Sequence, residues 1–431
     1  MRLLQTLALA GLPLPLLIWA VRSGHYRRCL APFVAVSGIY VFTCLGAGRV
    51  IYEPTLYTDA YFYTMLLVIL GCYAAYAVLL GAGPAVEVDY AGQTPERSLG
   101  RTLIVFAVLW GYSTVILALY VSRHGVPPLL AVLGGSGPVD VYALRGEKTT
   151  SLAEGSHWYT LGLQTVPYFT FIYAYVRRSL EPSRAATLLF AVSAVVAITF
   201  ATSFANKDVL LHLALFIVLV KACLGRRGVR AAQVLLYAVL GLGSVFLFLR
   251  LYLLDRGSLD VLRLFGGYLV DRLLFVYAEA HAYIVRIFPH EHAFFDGRAL
   301  ANPGGLLPFI PVELSQYLGY RVLGHLANYS APSFSYGYAN FGLPGLALTT
   351  GVMTVQLVLV QVVFRRLPRS PLFLSMYVLL AERMIRYGSE SLQQVFAEEV
   401  VLFLVLTALL HAMLAELATA AAPGTPAKTA P

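Results

Sequence analysis

Charged residues are scarce in this chain of 431 residues. Asp, Glu, Lys and Arg together make up 12% of it, whereas a soluble globular domain carries roughly 25%. Hydrophobic residues account for 59%, and the mean hydropathy is +0.73. The composition therefore excludes an ordinary soluble protein and predicts a protein that crosses a membrane several times.

Cysteine is scarce as well. The four cysteines lie in or beside apolar runs without paired spacing, which excludes a disulfide framework: Cys29, Cys44, Cys72 and Cys223. His290 and His292 flank Glu291, but no further Cys, His or Asp cluster follows at ligand spacing. We therefore expect neither a metal site nor a cofactor.

Two further patterns are missing. We find no internal repeat of the inverted kind that many transporters carry. No small-residue cleavage site precedes Arg22, so the first apolar run is predicted to be a span rather than a signal peptide. The net charge of +9 is explained below by membrane topology, and we do not infer nucleic-acid binding from it.

The apolar runs set the fold class. A helix needs about 20 mostly apolar residues to cross the hydrocarbon core, where its backbone groups must pair internally. We predict an all-α polytopic protein with about eleven spans in one membrane domain, residues 1–419, followed by a disordered Ala/Pro/Thr-rich tail, residues 420–431. The runs lie near 3–21, 29–47, 61–83, 102–121, 159–176, 185–203, 209–224, 232–250, 340–363, 371–387 and 399–417.

Arginine and lysine predict the orientation. Every second short loop is basic, and such loops face the cytoplasm; their basic residues are Arg22, Arg27, Arg28, Arg97, Arg101, Arg177, Arg178, Arg184, Lys221, Arg226, Arg227, Arg230, Arg365, Arg366 and Arg369. The tail is then cytoplasmic, and the N-terminus faces outward. The outward loops are 48–60, 122–158, 204–208, 251–338 and 388–398.

Basic residues in outward loops break this rule and are candidate ligands for an anion. Arg145 follows an apolar Val-Tyr-Ala-Leu run in the loop 122–158, and Lys207 lies in the short turn between the sixth and seventh spans. A solvated surface position is the alternative for Arg145, and snorkelling to the interface is the alternative for Lys207.

The loop 251–338 holds most of the outward polar residues. Its segment 258–288 has helical apolar spacing interrupted by charges, which predicts an amphipathic helix or helix pair on the outer surface or re-entering the membrane. Glu279 and His281 lie in this segment, and Arg298 lies in a Gly/Pro-rich stretch after it.

The outer end of the tenth span adds two more basic residues, Arg383 and Arg386. An arginine inside a span is costly unless it meets an acid, water or phosphate. Structural pairing with Glu382 or Glu390 is the alternative to phosphate binding.

The segment PSFSYGYANFGLPG, residues 332–345, resembles the end of the large outward loop in the O-antigen polymerase (Wzy-type) family. The matching residues are Ser333, Gly337, Asn340, Phe341, Gly342 and Gly345. Further matches follow in order: Arg145, Lys207, Gly297, and Ile310 with Pro311. The chain departs from the family at Val312-Glu313-Leu314, where a basic, Trp-containing stretch is usual.

The resemblance implies a GT-C-like membrane glycosyltransferase in the bacterial inner membrane, with its active site on the periplasmic face. Such a polymerase joins undecaprenyl-pyrophosphate-linked oligosaccharide repeat units, which serve as both donor and acceptor, into a surface polysaccharide. The lipid bilayer and a chain-length regulator protein are the other partners that it implies.

The candidate site residues suit that chemistry. A leaving sugar pyrophosphate develops negative charge that fixed cations stabilise, and the candidates are Arg145, Lys207, Arg298, Arg383 and Arg386. The acceptor hydroxyl must lose a proton, for which Glu279 and His281 are the candidate bases. We expect Ser333, Tyr336, Tyr338 and Asn340 to contact substrate.

Three other functions remain open. An O-antigen ligase shares the architecture and the donor. A monosaccharide transferase that uses a polyprenyl-phosphate sugar normally has paired acids in its first outward loop, whereas Glu53 and Asp59 stand apart here. A flippase or transporter keeps its polar residues mid-span, whereas here they collect on one side.

Overall fold

The structure is a computed structural model. It describes residues 2–81, 99–127, 157–202, 209–224, 235–236, 238–243, 246, 258–300, 308–325, 328–367, 370–389, 405, 407–408 and 412. The chain forms two compact units, one of residues 1–93 and 210–396 and the other of residues 94–209 and 397–431. The prediction of a single membrane domain, residues 1–419, stays a prediction.

Every regular element within the described residues is helical. The helices of the first half are α1 (Arg2–Gly11), α2 (Pro13–Arg22), α3 (His25–Arg28), α4 (Leu30–Ile39), α5 (Ala47–Tyr52), α6 (Asp59–Gly81), α7 (Leu99–His124), α8 (His157–Thr160), α9 (Val166–Leu180) and α10 (Arg184–Thr202). Those of the second half are α11 (Val209–Leu224), α12 (Ser258–Val270), α13 (Val276–Ile287), α14 (Leu314–Leu323), α15 (Ser333–Arg366) and α16 (Pro371–Arg383). In the part of the chain that the structure describes, three π-helical turns join neighbouring helices, at Tyr40–Cys44, Leu161–Thr165 and Asp271–Phe275, and a 3₁₀ turn follows α16 at Met384–Gly388.

Within the described residues, five helical stretches are long and apolar enough to cross a membrane: Arg2–Arg22, Leu30–Tyr52, Asp59–Gly81, Thr102–His124 and Ser333–Arg366. They coincide with the first, second, third, fourth and ninth predicted spans. Arg184–Phe200 and Val209–Leu224 are shorter apolar helices at the sixth and seventh predicted spans. The fifth and tenth predicted spans are helical without being candidates, and the eighth and eleventh fall mostly outside the described residues.

In the unit of residues 94–209 and 397–431, α7 packs against the helical run from α8 to α9. Tyr120 and Tyr159 meet edge to face at 5.3 Å beside Ile116 and Leu163. Arg177 is buried, donates a hydrogen bond to Thr102 and pairs with Glu181 at 3.3 Å. This buried arginine therefore has a structural partner at each end of its guanidinium group.

In the other unit, α15 is a helical hairpin rather than one straight helix. The backbone breaks at Gly342, where φ is 65° and ψ is −144°, a conformation that favours glycine. A Cβ on Gly337 would lie 2.1 Å from Thr349 Oγ1, although twelve residues of straight helix would separate those positions by roughly 18 Å. Residues 333–341 and 343–366 therefore lie side by side as two arms.

The loop after α13 completes the broken helix. Pro344 cannot donate a backbone hydrogen bond to the carbonyl four residues earlier, and that carbonyl, on Asn340, accepts from Asp296 N at 3.1 Å instead. The carbonyl of Ala339 accepts from Phe295 N at 3.0 Å. Two backbone N–H groups of the loop thus bond to the carbonyls of Ala339 and Asn340, which lose their helical donors at the break.

Residues 258–287 form one continuous helical run, as the spacing predicted, with a π turn in its middle. The first half has Val261 and Phe265 buried on one side, whereas the second half is mostly buried from Ala278 onward. The run therefore begins as a one-sided helix and ends inside the unit, where it carries Glu279 and His281.

Candidate functional site

A cluster of charged and phenolic groups surrounds Glu279. Its Oε1 lies 2.9 Å from Arg49 Nε, and its Oε2 accepts a hydrogen bond from the Tyr329 hydroxyl at 3.3 Å. Arg49 also pairs with Asp271 at 3.3 Å and lies over the Phe275 ring at 4.8 Å. The Glu279 side chain is 15% exposed and that of Arg49 is 52% exposed, so the cluster lies at the edge of the packed interior and can be reached from outside it.

Two π-helical turns position this cluster. Tyr40–Cys44 precedes Arg49, and Asp271–Phe275 precedes Glu279. The Asp271–Phe275 turn packs so closely against the residues that follow Tyr40–Cys44 that a Cβ on Gly46 would lie 1.5 Å from the Leu274 carbonyl oxygen. Because a π turn inserts an extra residue into a helix, it changes which side chains face the neighbouring helix, and here Arg49 and Glu279 face each other.

Partial burial changes the acidity of Glu279. Desolvation raises the pKa of this carboxyl above its ordinary value, and the Arg49 guanidinium and the Tyr329 hydroxyl oppose that rise. Burial also raises the pKa of Tyr329, so the phenol stays a hydrogen-bond donor at neutral pH. A carboxylate with a raised pKa, held beside solvent, is suited to accept a proton.

His281 occupies a different environment from Glu279. It is fully buried, and its Nε2 lies 2.8 Å from Thr64 Oγ1 while its Nδ1 lies 2.9 Å from Ser335 Oγ. Phe334 meets the imidazole edge to face at 5.0 Å. Burial lowers the pKa of His281 to about 3, so the ring is neutral and joins α13 to α6 and α15.

Asn340 joins the hairpin to the loop that carries Arg298. Its Oδ1 accepts a hydrogen bond from Ala299 N at 3.0 Å, and its Nδ2 donates to the Tyr336 carbonyl at 2.7 Å. The Arg298 carbonyl accepts from Val312 N at 2.7 Å, and the Arg298 side chain is exposed. The loop backbone is therefore held while the guanidinium remains accessible.

A second charged cluster lies at the end of α16. Glu382 is 1% exposed, and its Oε1 lies 2.9 Å from His212 Nδ1. Arg383 is also buried, with its Nε 3.7 Å from Glu382 Oε2. Arg383 therefore lies beside Glu382, the acid named in the structural alternative to phosphate binding. Arg386 is partly exposed, and its backbone carbonyl accepts a hydrogen bond from Ser333 Oγ at 3.3 Å.

The four residues predicted to contact substrate all lie in the first arm of the hairpin and are buried: Ser333, Tyr336, Tyr338 and Asn340. Tyr338 lies 6.4 Å from the His281 ring, and Ser333 contacts Arg386. The structure therefore gathers residues from the hairpin, the long loop and the end of α16 in one unit. Arg145 and Lys207 lie outside the described residues, and their role stays a prediction.

Sequence reasoning missed Arg49 and His212. Arg49 lies in the predicted outward loop 48–60, so the same exception to the rule for basic loops that selected Arg145 and Lys207 also applies to it. His212 lies within an apolar run, and a polar residue inside a predicted span was the available signal. Among the residues that the structure describes, no group of three or more His, Cys, Asp or Glu could hold a metal ion.

No family model, no curated protein and no solved structure matches the chain.

Proposed function

We propose that the protein is a membrane glycosyltransferase that joins lipid-pyrophosphate-linked oligosaccharide repeat units on the outer face of the bacterial inner membrane. The single observation that carries this proposal is the cluster of Glu279, Arg49 and Tyr329, because it offers an accessible carboxylate with a raised pKa. The apolar candidate spans support a lipid-anchored substrate. The resemblance of residues 332–345 to the O-antigen polymerase family supplies the substrate class.

In this proposal Glu279 is the general base. The hydroxyl oxygen of the acceptor sugar attacks the anomeric carbon of the donor and passes its proton to the Glu279 carboxylate. The bond from the anomeric carbon to the pyrophosphate oxygen breaks, and its electron pair leaves with the lipid pyrophosphate. His281 serves instead to join three helices, since both of its ring nitrogens bond to buried hydroxyl groups.

Cationic side chains would stabilise the charge that develops on the leaving group. Arg298 suits this role because its guanidinium is exposed on a loop whose backbone is fixed. Arg145 and Lys207 are proposed to assist it, as the resemblance implies. Arg386 is the more accessible member of the α16 pair, because Arg383 is buried beside Glu382.

The test uses purified full-length protein in lipid nanodiscs with a lipid-linked oligosaccharide. A ladder of longer lipid-linked products is expected. Transfer only to a lipid A core acceptor would indicate a ligase, and transbilayer movement without transfer would indicate a flippase.

The matched pair of variants is Glu279→Gln and Glu291→Gln. Both carboxylates pair with arginine, and Glu291 lies 3.1 Å from Arg286 and from Arg321 in an exposed cluster. Loss of a general base lowers a rate by about 10² to 10⁴-fold, so Glu279→Gln should lose the ladder while Glu291→Gln keeps it. Equal rates in the two variants would contradict the assignment of Glu279.

A further inference from the structure

A polar site that the proposed reaction does not use lies at the junction of α3 and α4, beside the end of α15. Cys29 is the residue between the two short helices, and its thiol is fully buried. Gln361 donates a hydrogen bond to the Arg28 carbonyl, which fixes α15 against this junction. Arg22, Arg27, Arg28, Arg365 and Arg366 mark this face as cytoplasmic in the predicted topology.

Three side chains meet at the junction. Arg365 Nη2 donates to Cys29 Sγ at 3.1 Å, and His25 Nε2 lies 3.5 Å from the same sulfur. The His25 ring is fixed from its other faces by Trp19, at 4.7 Å between ring centroids, and by Tyr76, at 5.6 Å. The imidazole and the guanidinium therefore both contact one thiol.

Two buried polar atoms in this group have no hydrogen-bond partner within the described residues: His25 Nδ1 and Arg365 Nε. His25 is 6% exposed. When the Cys29 thiol donates to Nε2, the imidazole hydrogen is on Nδ1, so both atoms are donors. A buried donor without an acceptor costs free energy, and two such donors, on side chains that contact the same thiol, favour an acceptor with more than one oxygen.

The local positive charge favours an anionic ligand. Among the described residues, the charged groups that act on His25 and on Cys29 are both cationic, namely Arg28 and Arg365. Arg365 is partly exposed, so a ligand at the membrane surface can approach along its guanidinium. Arginine binds phosphate oxygens in a fork geometry that a single water does not match.

We propose that His25 and Arg365, with the charge of Arg28, bind a phosphate group at this face of the protein, from an anionic phospholipid headgroup or from a free phosphate. This site is independent of the proposed glycosyl transfer. Neither His25 nor Arg365 belongs to the cluster around Glu279.

The experiment measures the thermal unfolding midpoint of the full-length protein in nanodiscs. One series replaces phosphatidylcholine with increasing fractions of phosphatidylglycerol, and a second adds inorganic phosphate to phosphatidylcholine discs. We expect the midpoint to rise in at least one series. A rise only with phosphatidylglycerol identifies the lipid headgroup as the source, and a rise with inorganic phosphate identifies a free anion.

The matched variants are neighbours in the chain. Arg365→Gln removes the guanidinium beside Cys29, whereas Arg366→Gln removes an exposed charge from the same helix end. We expect Arg365→Gln to weaken the apparent affinity about tenfold, since a charged hydrogen bond is lost, and Arg366→Gln to leave it nearly unchanged. Equal weakening by the two variants would show a diffuse surface charge and overturn the proposal.

A third variant covers the case in which Arg365→Gln does not fold. His25→Phe keeps an aromatic ring against Trp19 and Tyr76 and removes the Nδ1 donor. It should show the same weakened response. A wild-type midpoint that responds to neither series would also overturn the proposal, because the two buried donors would then be satisfied without a phosphate.

Discussion

Arg49 and Glu279 stand 230 residues apart in the chain and form an ion pair with 2.9 Å between Nε and Oε1. A partly exposed pair of this kind contributes about 1 kcal/mol or less to stability. The pair also affects proton binding, because burial raises the pKa of Glu279 and the guanidinium opposes that rise. Arg49 therefore lowers the pH at which the proposed base is deprotonated.

Arg49→Gln should move the acidic limb of the pH–rate profile to higher pH. Removal of the cation raises the pKa of Glu279, so a smaller fraction is deprotonated at a given acidic pH. Initial rates of product-ladder formation over a pH series measure the shift. Arg321→Gln is the control, since Arg321 pairs with the exposed Glu291 at 3.1 Å, and an identical shift in both variants would refute the role given to Arg49.

Tyr329→Phe should shift the same limb in the same direction by a smaller amount. The Tyr329 hydroxyl donates to Glu279 Oε2 at 3.3 Å and lowers the pKa of the carboxyl less than Arg49 does. The same rate series measures it. Tyr320→Phe, which alters an exposed tyrosine on α14, should leave the profile in place, and a Tyr329→Phe profile that matches the wild type would contradict the prediction.

His281 should make the protein less stable in acid. Burial lowers its pKa from 6.5 to about 3, so the unfolded state binds more protons than the folded state between those values. The stabilisation is complete above about pH 6.5 and is lost as the pH falls toward about 3. Thermal unfolding midpoints in nanodiscs should therefore drop over this window, and less steeply in His281→Asn.

His292→Asn is the control for this pH series, because His292 is exposed. Its pH dependence should follow that of the wild type. A His281→Asn protein that loses stability in acid as steeply as the wild type would show that other groups carry the effect.

Gly337→Ala should destabilise the hairpin, and Gly351→Ala should not. A Cβ on Gly337 would lie 2.4 Å from the Gly345 carbonyl oxygen, whereas a Cβ on Gly351 would meet nothing within 4 Å. Overpacking of this kind costs about 1 to 3 kcal/mol, while alanine in an open helical position is favourable. Unfolding midpoints of the two variants give the comparison, and equal midpoints would contradict the close contact of the two arms.

Asn340→Ala should loosen the loop that carries Arg298. The substitution removes the Oδ1 that accepts from Ala299 N at 3.0 Å, and loss of such a buried bond costs about 1 to 3 kcal/mol. Hydrogen–deuterium exchange of residues 293–300 should become faster than in the wild type. Ser315→Ala, which removes an exposed bond to Glu313, should leave that exchange unchanged; slow exchange in Asn340→Ala would favour a role in substrate contact alone.

Many of the helices could be predicted from long apolar runs, because a membrane span is a local property of about 20 residues. The helical run around Glu279 was predictable from the helical spacing of its apolar residues, which is also a local pattern. The break at Gly342 and the contact of Gly337 with Thr349 were not, since they depend on which parts of the chain meet in space. The π turns could not be predicted either, because nothing in the apolar spacing indicates an inserted residue.

The candidate site was predictable in its residue types and not in its pairings. Glu279 and His281 are two residues apart and looked equivalent in the sequence. On a helix that spacing places them on different sides, so one reaches Arg49 and the other is buried between Thr64 and Ser335. Arg49 carries the same sequence signal as Arg145 and Lys207, but its pairing with Glu279 could not be predicted, because the two residues lie on distant segments of the chain.

The loop that carries Arg298 and the broken helix of the hairpin share their backbone hydrogen bonds, through the carbonyls of Ala339 and Asn340. The loop and the hairpin are therefore mechanically coupled. A displacement of residues 295–296 would strain the hydrogen bonds next to the break at Gly342, so a load on the loop is transmitted to the hairpin. Any tag or crosslink placed on residues 295–299 would report on the hairpin as well as on the loop.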